Sequence, residues 1–232
     1  PASDDPTLGD ISFGKLVETF AEQARGLIAG GADLIIIETA QDILEVKAAI
    51  FGARAAFEET GKKLPIQISV SLLPNGGKML LGTDISAVLT TLEALKVDVI
   101  GLNCSTGPED MRDAIRYLGE NATTPVHCIP NAGLPLQGPD GETIFPEKPE
   151  PLAASLGEFV ERFGVGIVGG CCGTTPEHIK AIADRVRDLK PRPRPGKGDE
   201  LLLSSMMTAT PLVQEPRPTM VGERVNSQGS RR

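Results

Sequence analysis

The sequence lacks a long hydrophobic run, an excess of positive charge and a dense set of cysteines. No apolar stretch approaches the roughly 20 residues that cross a bilayer, and the first residues do not resemble a signal peptide. The 23 Lys and Arg residues are outnumbered by 31 Asp and Glu, so the net charge is −8. This acidic balance argues against a nucleic acid or an anionic membrane as the main partner.

Cysteine is too scarce for a disulfide scaffold, with four in 232 residues. Two of the four, Cys171 and Cys172, are adjacent, which is poor geometry for a mutual disulfide. Thiol or metal chemistry in a reducing cytoplasm is therefore expected.

The chain does contain enough apolar material for a sizeable core, since 40% of its residues are hydrophobic. It opens on Pro1, and its first methionine is Met79. We therefore expect it to be a piece of a longer protein, and we expect this piece to be inactive by itself.

Helix-period segments alternate with apolar runs from residue 12 to residue 189. Strands are predicted at about 34–37, 65–71, 98–103, 125–129 and 164–168, and helices at about 12–30, 42–60, 84–96, 108–118, 151–163 and 175–189. Such alternation predicts a parallel sheet with right-handed crossovers. No Gly-x-Gly-x-x-Gly turn follows the first strand, which disfavours a dinucleotide-binding fold. We predict an α/β fold, a (β/α)8 TIM barrel of which about five of the eight units are present.

The composition of the sequence changes after residue 189, where proline and basic residues become frequent. Pro191-Arg192-Pro193-Arg194-Pro195 is typical of a stiff, extended linker. We therefore predict a barrel domain over 1–189, an interdomain linker over 190–217, and the truncated start of another domain over 218–232. Within the linker, the apolar segment 201–213 is expected to cover a neighbouring surface.

Three cysteines follow predicted strands: Cys104 comes after strand 98–103, and Cys171 and Cys172 come after strand 164–168. Because functional groups gather at the carboxyl ends of parallel strands, we expect these thiols to converge. Three thiolates suit zinc with one position left open, and an open position indicates catalysis. An electron-rich site of this kind favours binding of a further sulfur, so alkyl transfer to a thiol is the predicted reaction class.

The residues that follow the cysteines resemble each other. Ser105-Thr106-Gly107-Pro108-Glu109 and Gly173-Thr174-Thr175-Pro176-Glu177 each predict a Thr N-cap before Pro and Glu in a first helical turn. We expect the positive ends of both helices to favour thiolate over thiol.

Other residues near the carboxyl ends of the predicted strands give weaker indications of function. Cys128 lies inside a strand and is predicted to be a small hydrophobic core residue. His127 and His178 are possible ligands, although His178 is expected to be solvated on its helix. Glu38 ends the apolar run 34–37, and an acidic residue at that point is often a substrate contact.

Several motifs resemble the homocysteine S-methyltransferase family over residues 1–189. They are Ile37-Glu38-Thr39 with Asp42, Gly101-Leu102-Asn103-Cys104, Pro130-Asn131-Ala132-Gly133-Leu134-Pro135 and Gly169-Gly170-Cys171-Cys172-Gly173-Thr174-Thr175-Pro176-Glu177-His178-Ile179. The family's first-strand motif, Asp-Gly-Ala-Met-Gly, has no counterpart here, so the first three strands are expected to be missing.

This resemblance implies a (β/α)8 barrel in which Cys104, Cys171 and Cys172 hold zinc, with the homocysteine sulfur as fourth ligand. It also implies that Glu38 contacts the homocysteine amino group. Asn103 and Asn131 match motif asparagines and are predicted to be substrate-binding residues.

The tail, residues 218–230, resembles the opening of the folate-binding domain of the cobalamin-dependent methionine synthases. That resemblance implies methyl transfer to homocysteine, giving methionine, from methylcobalamin bound by a domain absent from this chain. The folate-binding and cobalamin-binding domains of the parent chain would be its partners. Two alternatives stay open: a cobalamin-independent methyltransferase using betaine or S-methylmethionine, and a non-catalytic zinc-holding module.

Overall fold

The computed structural model describes residues 11–74, 76–194, 201–213 and 218. Its helices are α1 (Phe13–Ala29), α2 (Ile43–Thr60), α3 (Ile85–Ala94), α4 (Pro108–Asn121), α5 (Pro149–Phe163) and α6 (Pro176–Val186). Its strands are β1 (Ile35–Ala40), β2 (Ile66–Val70), β3 (Val99–Asn103), β4 (Val126–Ile129), β5 (Leu136–Gln137), β6 (Thr143–Ile144), β7 (Ile167–Val168), β8 (Leu202–Ser204) and β9 (Ala209–Pro211). Among the helices that can be described, none is long and apolar enough to cross a membrane.

Five strands form one parallel sheet in the order β1-β2-β3-β4-β7, which confirms the predicted parallel α/β fold. Each predicted helix and strand is present within a few residues of its expected bounds. The first strand is longer than expected, because it continues through Glu38 to Ala40. Its pairing with β2 is irregular between Ile37 and Ala40, a bulge that changes the direction of the side chains there.

The core lies between the sheet and the helices that cover it. Every residue of β2 is buried, as expected for a parallel strand covered on both faces. Cys128 is fully buried on β4, with its Sγ 3.9 Å from the Met111 sulfur, and burial raises the pKa of its thiol. Its surroundings are therefore those of a hydrophobic core residue.

The segment after α6 packs back onto the domain. The Arg192 amide donates to the Val160 carbonyl, so the proline-rich stretch begins against α5. Residues 201–213 form the β8–β9 hairpin, which packs on α3. Three hydrogen bonds fix it there: the Asp84 amide donates to the Met207 carbonyl, the Ala209 amide to the Ser86 hydroxyl, and the Ser204 hydroxyl to the Ala87 carbonyl.

The predicted start of a further domain, 218–232, lies outside the described residues except for Pro218. The predicted linker, 190–217, is described only at 190–194 and 201–213. Its described hairpin agrees with the expectation that the apolar segment 201–213 covers a neighbouring surface.

Candidate metal centre

The carboxyl ends of β3 and β7 bring three cysteines together. The Cys104 and Cys172 sulfurs are 3.7 Å apart, and the Cys171 and Cys172 sulfurs are 3.9 Å apart. All three Sγ atoms lie within 4.8 Å of one another. Within the described residues, this is the one group of three or more His, Cys, Asp or Glu side chains close enough to share an ion.

The spacing of these sulfurs fits zinc. A tetrahedral ion with Zn–S bonds of about 2.3 Å places its sulfur ligands about 3.8 Å apart. The separations of the Cys172 sulfur from the Cys104 and Cys171 sulfurs, 3.7 and 3.9 Å, lie on either side of that value. A disulfide would need about 2.05 Å between sulfurs, so the three thiols are free.

The electrostatics of the cluster also fit a cation. Burial, reinforced by the neighbouring Cys104 and Cys171 sulfurs, raises the pKa of Cys172 to about 11. The expected stabilisation of thiolate by a helix N-terminus is therefore outweighed at Cys172. Negative charges this close repel one another, so several thiolates can share the site only beside a positive charge.

The turn that carries Cys104 has unusual backbone geometry. Cys104 and Ser105 both have φ near 61°, in the left-handed region that residues with a side chain rarely adopt. The Cys104 amide donates to the Ile129 carbonyl, and the Thr106 amide donates to the Cys104 carbonyl. Left-handed residues of this kind cost of order 1–3 kcal/mol each and cluster at functional sites.

The turn that carries Cys171 and Cys172 lies against the segment after β4. The Cys171 amide donates to the Pro130 carbonyl, and the Ala132 amide donates to the Cys172 carbonyl. Gly173 follows with φ +76°, and a side chain there would collide with the Phe145 ring. Glycine is therefore required after the cysteine pair.

The helices after the two turns begin differently. Thr175 is the N-cap of α6, as predicted, but the N-cap of α4 is Gly107 and not Thr106, so that helix has no side-chain cap. His178 is buried and not solvated: its Nδ1 faces Thr175 in a capping box, and its Nε2 is 2.9 Å from the Glu147 carbonyl. Its ring nitrogens are thus used in the fold.

Asn131 links the two cysteine turns. Its side-chain oxygen accepts from the Cys172 backbone amide at 3.1 Å, and its backbone amide donates to the Thr106 carbonyl at 3.0 Å. The residue is only 2% exposed. Its predicted role in substrate binding stays a prediction, and its contacts show a role in holding the two turns together.

Asn103 lies at the end of β3 and is fully buried. Its amide contacts Thr39, Ser69 and the Cys171 sulfur. Its predicted contact with substrate likewise stays a prediction. Ser69 and Thr39 were not among the expected site residues; the available signal for Ser69 was a polar residue inside the otherwise apolar end of β2.

His127 is not one of the residues grouped around the cysteine sulfurs. It lies fully buried on β4 with its Nε2 2.8 Å from the Ser69 hydroxyl. Burial lowers its pKa to about 4, so the ring is neutral at neutral pH. A series of hydrogen bonds through Ser69 and Asn103 connects it to Cys171.

Glu38 lies on the edge strand β1, beside the left-handed residue Thr39. It is exposed and lines a cavity of about 370 Å³ between β1, α1 and α2. None of the cysteines lines that cavity. The connection of Glu38 to the cluster runs along the chain, through Thr39 and its hydrogen bonds with Asn103.

Comparison with known proteins identifies relatives along the whole chain. The sequence profile of the homocysteine S-methyltransferase family matches residues 2–186. The methionine synthase of Mycobacterium tuberculosis is 43% identical over 231 residues, and that of Mycobacterium leprae is 42% identical over 235 residues. Both alignments cover all of this chain but 19% of the relative, so the chain spans about a fifth of the length of these relatives.

A solved structure shares the fold. The apo crystal structure of the homocysteine methyltransferase MmuM from Escherichia coli superposes with a TM-score of 0.54 and 25% identity. The match covers 73% of this chain and 57% of MmuM. This shared fold and the profile match over most of the sequence both agree with the family motifs found at the strand ends. The chain belongs to the homocysteine S-methyltransferase family.

Proposed function

We propose that this chain is part of a cobalamin-dependent methionine synthase and forms the module that binds homocysteine and accepts the methyl group on its sulfur. The observation that carries the proposal is the convergence of three cysteine sulfurs within 4.8 Å. Identity to methionine synthases over the whole chain, including the residues after α6, supports the modular assignment.

Zinc is the metal we assign to Cys104, Cys171 and Cys172. When bound, it supplies the positive charge that lets a thiol exist as thiolate at neutral pH. The protein's part is to fix the three sulfurs: the strained turn after β3 holds Cys104, and Asn131 holds the backbone at Cys172. We assign Glu38 to the contact with the ammonium group of the substrate. Asn103 and Asn131 are assigned to hold the residues around the cysteines in place.

We further propose that the five-stranded sheet is part of a closed (β/α)8 barrel whose remaining strands belong to the parent protein. Apolar side chains are exposed at both edges of the sheet: Ile36 on β1 is 39% exposed and Ile167 on β7 is 41% exposed. Unpaired edges of this kind are sites where further strands add. In this arrangement 190–217 is the linker and 218–232 begins the folate-binding domain.

The methyl donor is tested with the full-length protein. We expect methionine to form from homocysteine when methylcobalamin is supplied, and not when betaine or S-methylmethionine is supplied. The fold shared with MmuM makes a cobalamin-independent homocysteine methyltransferase the second candidate. Turnover with betaine or S-methylmethionine alone would favour that candidate, and stoichiometric zinc without turnover of any donor would favour a metal-holding module.

Replacing Glu38 with Gln is expected to weaken homocysteine binding by about 10- to 150-fold. A charge-assisted contact between a carboxylate and an ammonium contributes about 1.5–3 kcal/mol, which corresponds to that range. Zinc content should stay unchanged, because the carboxylate is assigned to the amino acid end of the substrate. Binding is measured calorimetrically for homocysteine and for 4-mercaptobutanoate, which lacks the amino group.

Glu22→Gln is the matched control, because it removes the same charge from an exposed position on α1. We expect it to bind both thiols as the unmodified protein does. Equal weakening of both thiols by Glu38→Gln would instead assign Glu38 to the structure of the rim.

A further inference from the structure

We propose that Asn103 is a positioning residue for Cys171, and that Ser69 and His127 fix the direction in which its amide donates. The inference rests on the proposed metal site, because its consequence is a change in how Cys171 holds a metal. It assigns to Asn103 a role through the sulfur ligand in place of direct contact with substrate.

The orientation of the Asn103 amide follows from its partners. A backbone N–H can only donate, and the Thr39 amide nitrogen lies 3.0 Å from Asn103 Oδ1. That contact identifies Oδ1 as the acceptor. The Nδ2 group must then be the one that faces the Thr39 hydroxyl at 2.8 Å and the Cys171 sulfur at 3.8 Å. Asn103 therefore donates an N–H toward Cys171.

The same reasoning sets the direction of the two preceding contacts. Ser69 Oγ is 2.6 Å from Asn103 Oδ1, so the hydroxyl proton is donated to the amide oxygen. Ser69 must then accept from His127, whose Nε2 is 2.8 Å away and carries the ring proton. His127 Nδ1 is the remaining, unprotonated nitrogen, and it has no hydrogen-bond partner among the described residues. Each donor thus faces the next group in the series, and the series ends at the Cys171 sulfur.

Burial makes this chain of hydrogen bonds effective. His127, Ser69 and Asn103 are each 0% exposed, so water does not compete for their polar atoms. Donors arranged head to tail in a region of low dielectric polarise one another, which strengthens the last bond in the series. The result is a rigid N–H group directed at one of the three clustered sulfurs.

An N–H donor beside a metal-bound thiolate draws electron density from the sulfur and fixes its position. Residues that orient metal ligands in this way typically change metal affinity by about 10- to 100-fold when mutated. We expect Asn103→Ala to weaken zinc binding in the full-length protein within that range, measured by competition with a chromophoric chelator.

A spectroscopic measurement separates this role from a merely structural one. In the cobalt(II)-substituted protein, the sulfur-to-metal charge-transfer band reports the electron density on sulfur. Loss of the donor should shift the band to lower energy in Asn103→Ala, and further in Asn103→Asp, which keeps an acceptor for Thr39 but places a carboxylate beside the sulfur. Ser69→Ala should give a smaller shift in the same direction, although Ser69 contacts no cysteine.

Thr90→Val is the control, because the Thr90 hydroxyl on α3 is also buried and has no hydrogen-bond partner among the described residues. Its band and affinity should match the unmodified protein. Unchanged bands in Asn103→Ala and Ser69→Ala overturn the inference, even where the affinity falls. If the Asn103 variants do not fold, the charge-transfer band of Ser69→Ala tests the inference, and an unchanged band overturns it. Failure of the unmodified protein to bind zinc or cobalt contradicts the proposed function instead.

Discussion

Replacing any one of Cys104, Cys171 or Cys172 with serine is expected to weaken zinc binding by about 100- to 1,000-fold. Binding of structural zinc to proteins is worth about 10–16 kcal/mol, so one ligand of three or four accounts for roughly 3–4 kcal/mol. A serine hydroxyl does not ionise at neutral pH and is a much poorer zinc ligand than thiolate. The Cys172 sulfur lies 3.7 and 3.9 Å from the other two, and all three lie within 4.8 Å of one another, so each is part of the same site.

The measurement is metal content after dialysis, together with chelator competition, for each single variant of the full-length protein. Cys128→Ala is the control: it removes the remaining thiol, which is buried against Met111. Because successive side chains of a strand point to opposite faces, Cys128 lies on the opposite face of β4 from His127, which contacts Ser69. It should retain stoichiometric zinc. Loss of zinc in Cys128→Ala, with the other three variants unaffected, would contradict the assignment.

Replacing Gly101 with Ala is expected to destabilise the fold by more than about 3 kcal/mol, at the upper end of the usual cost of overpacking a core. A Cβ added at Gly101 would lie 2.1 Å from the His127 carbonyl oxygen and 2.6 Å from its Cγ. The oxygen belongs to the backbone of β4, which is paired with β3 at this position. The collision can be relieved only by separating two paired strands.

Gly166→Ala is the matched control, because its added Cβ would have the Val126 carbonyl oxygen at 4.0 Å as its nearest neighbour. We expect that variant to lie within about 0.5 kcal/mol of the unmodified protein. Urea unfolding of both variants measures the difference. Equal stabilities for the two alanine variants would show that β3 and β4 can separate without cost, which would also weaken the case for a rigid hydrogen-bond chain through His127.

The order and type of the main elements could be predicted from the sequence because each depends on residues close together in the chain. The segment that forms β2 is buried on both faces, and its length and its β-branched residues were enough to identify it as a strand. Asp42 before α2 and Gly61 after it mark that helix through local hydrogen bonding and a left-handed turn. The position of the cysteines at strand ends followed from the same pattern.

Some local details were not predictable, because neighbouring contacts decide them. The continuation of β1 through Glu38 depends on its pairing with β2, since Ala40 pairs with Val70 across a bulge. The hairpin of residues 201–213 depends on hydrogen bonds to α3 from residues more than a hundred positions away in the chain. His178 was expected at the surface, but the chain around Glu147 covers it.

The sequence by itself determined that this protein has a parallel α/β fold and that its reactive thiols stand at the carboxyl ends of strands, because hydrophobic period and strand ends are short-range properties. Only the tertiary structure decided which buried polar groups join the thiols there. Asn103 and Cys171 are 68 positions apart, and His127 is 58 positions from Ser69. Their contacts depend on the register of neighbouring strands, where a shift of one residue turns every side chain to the opposite face.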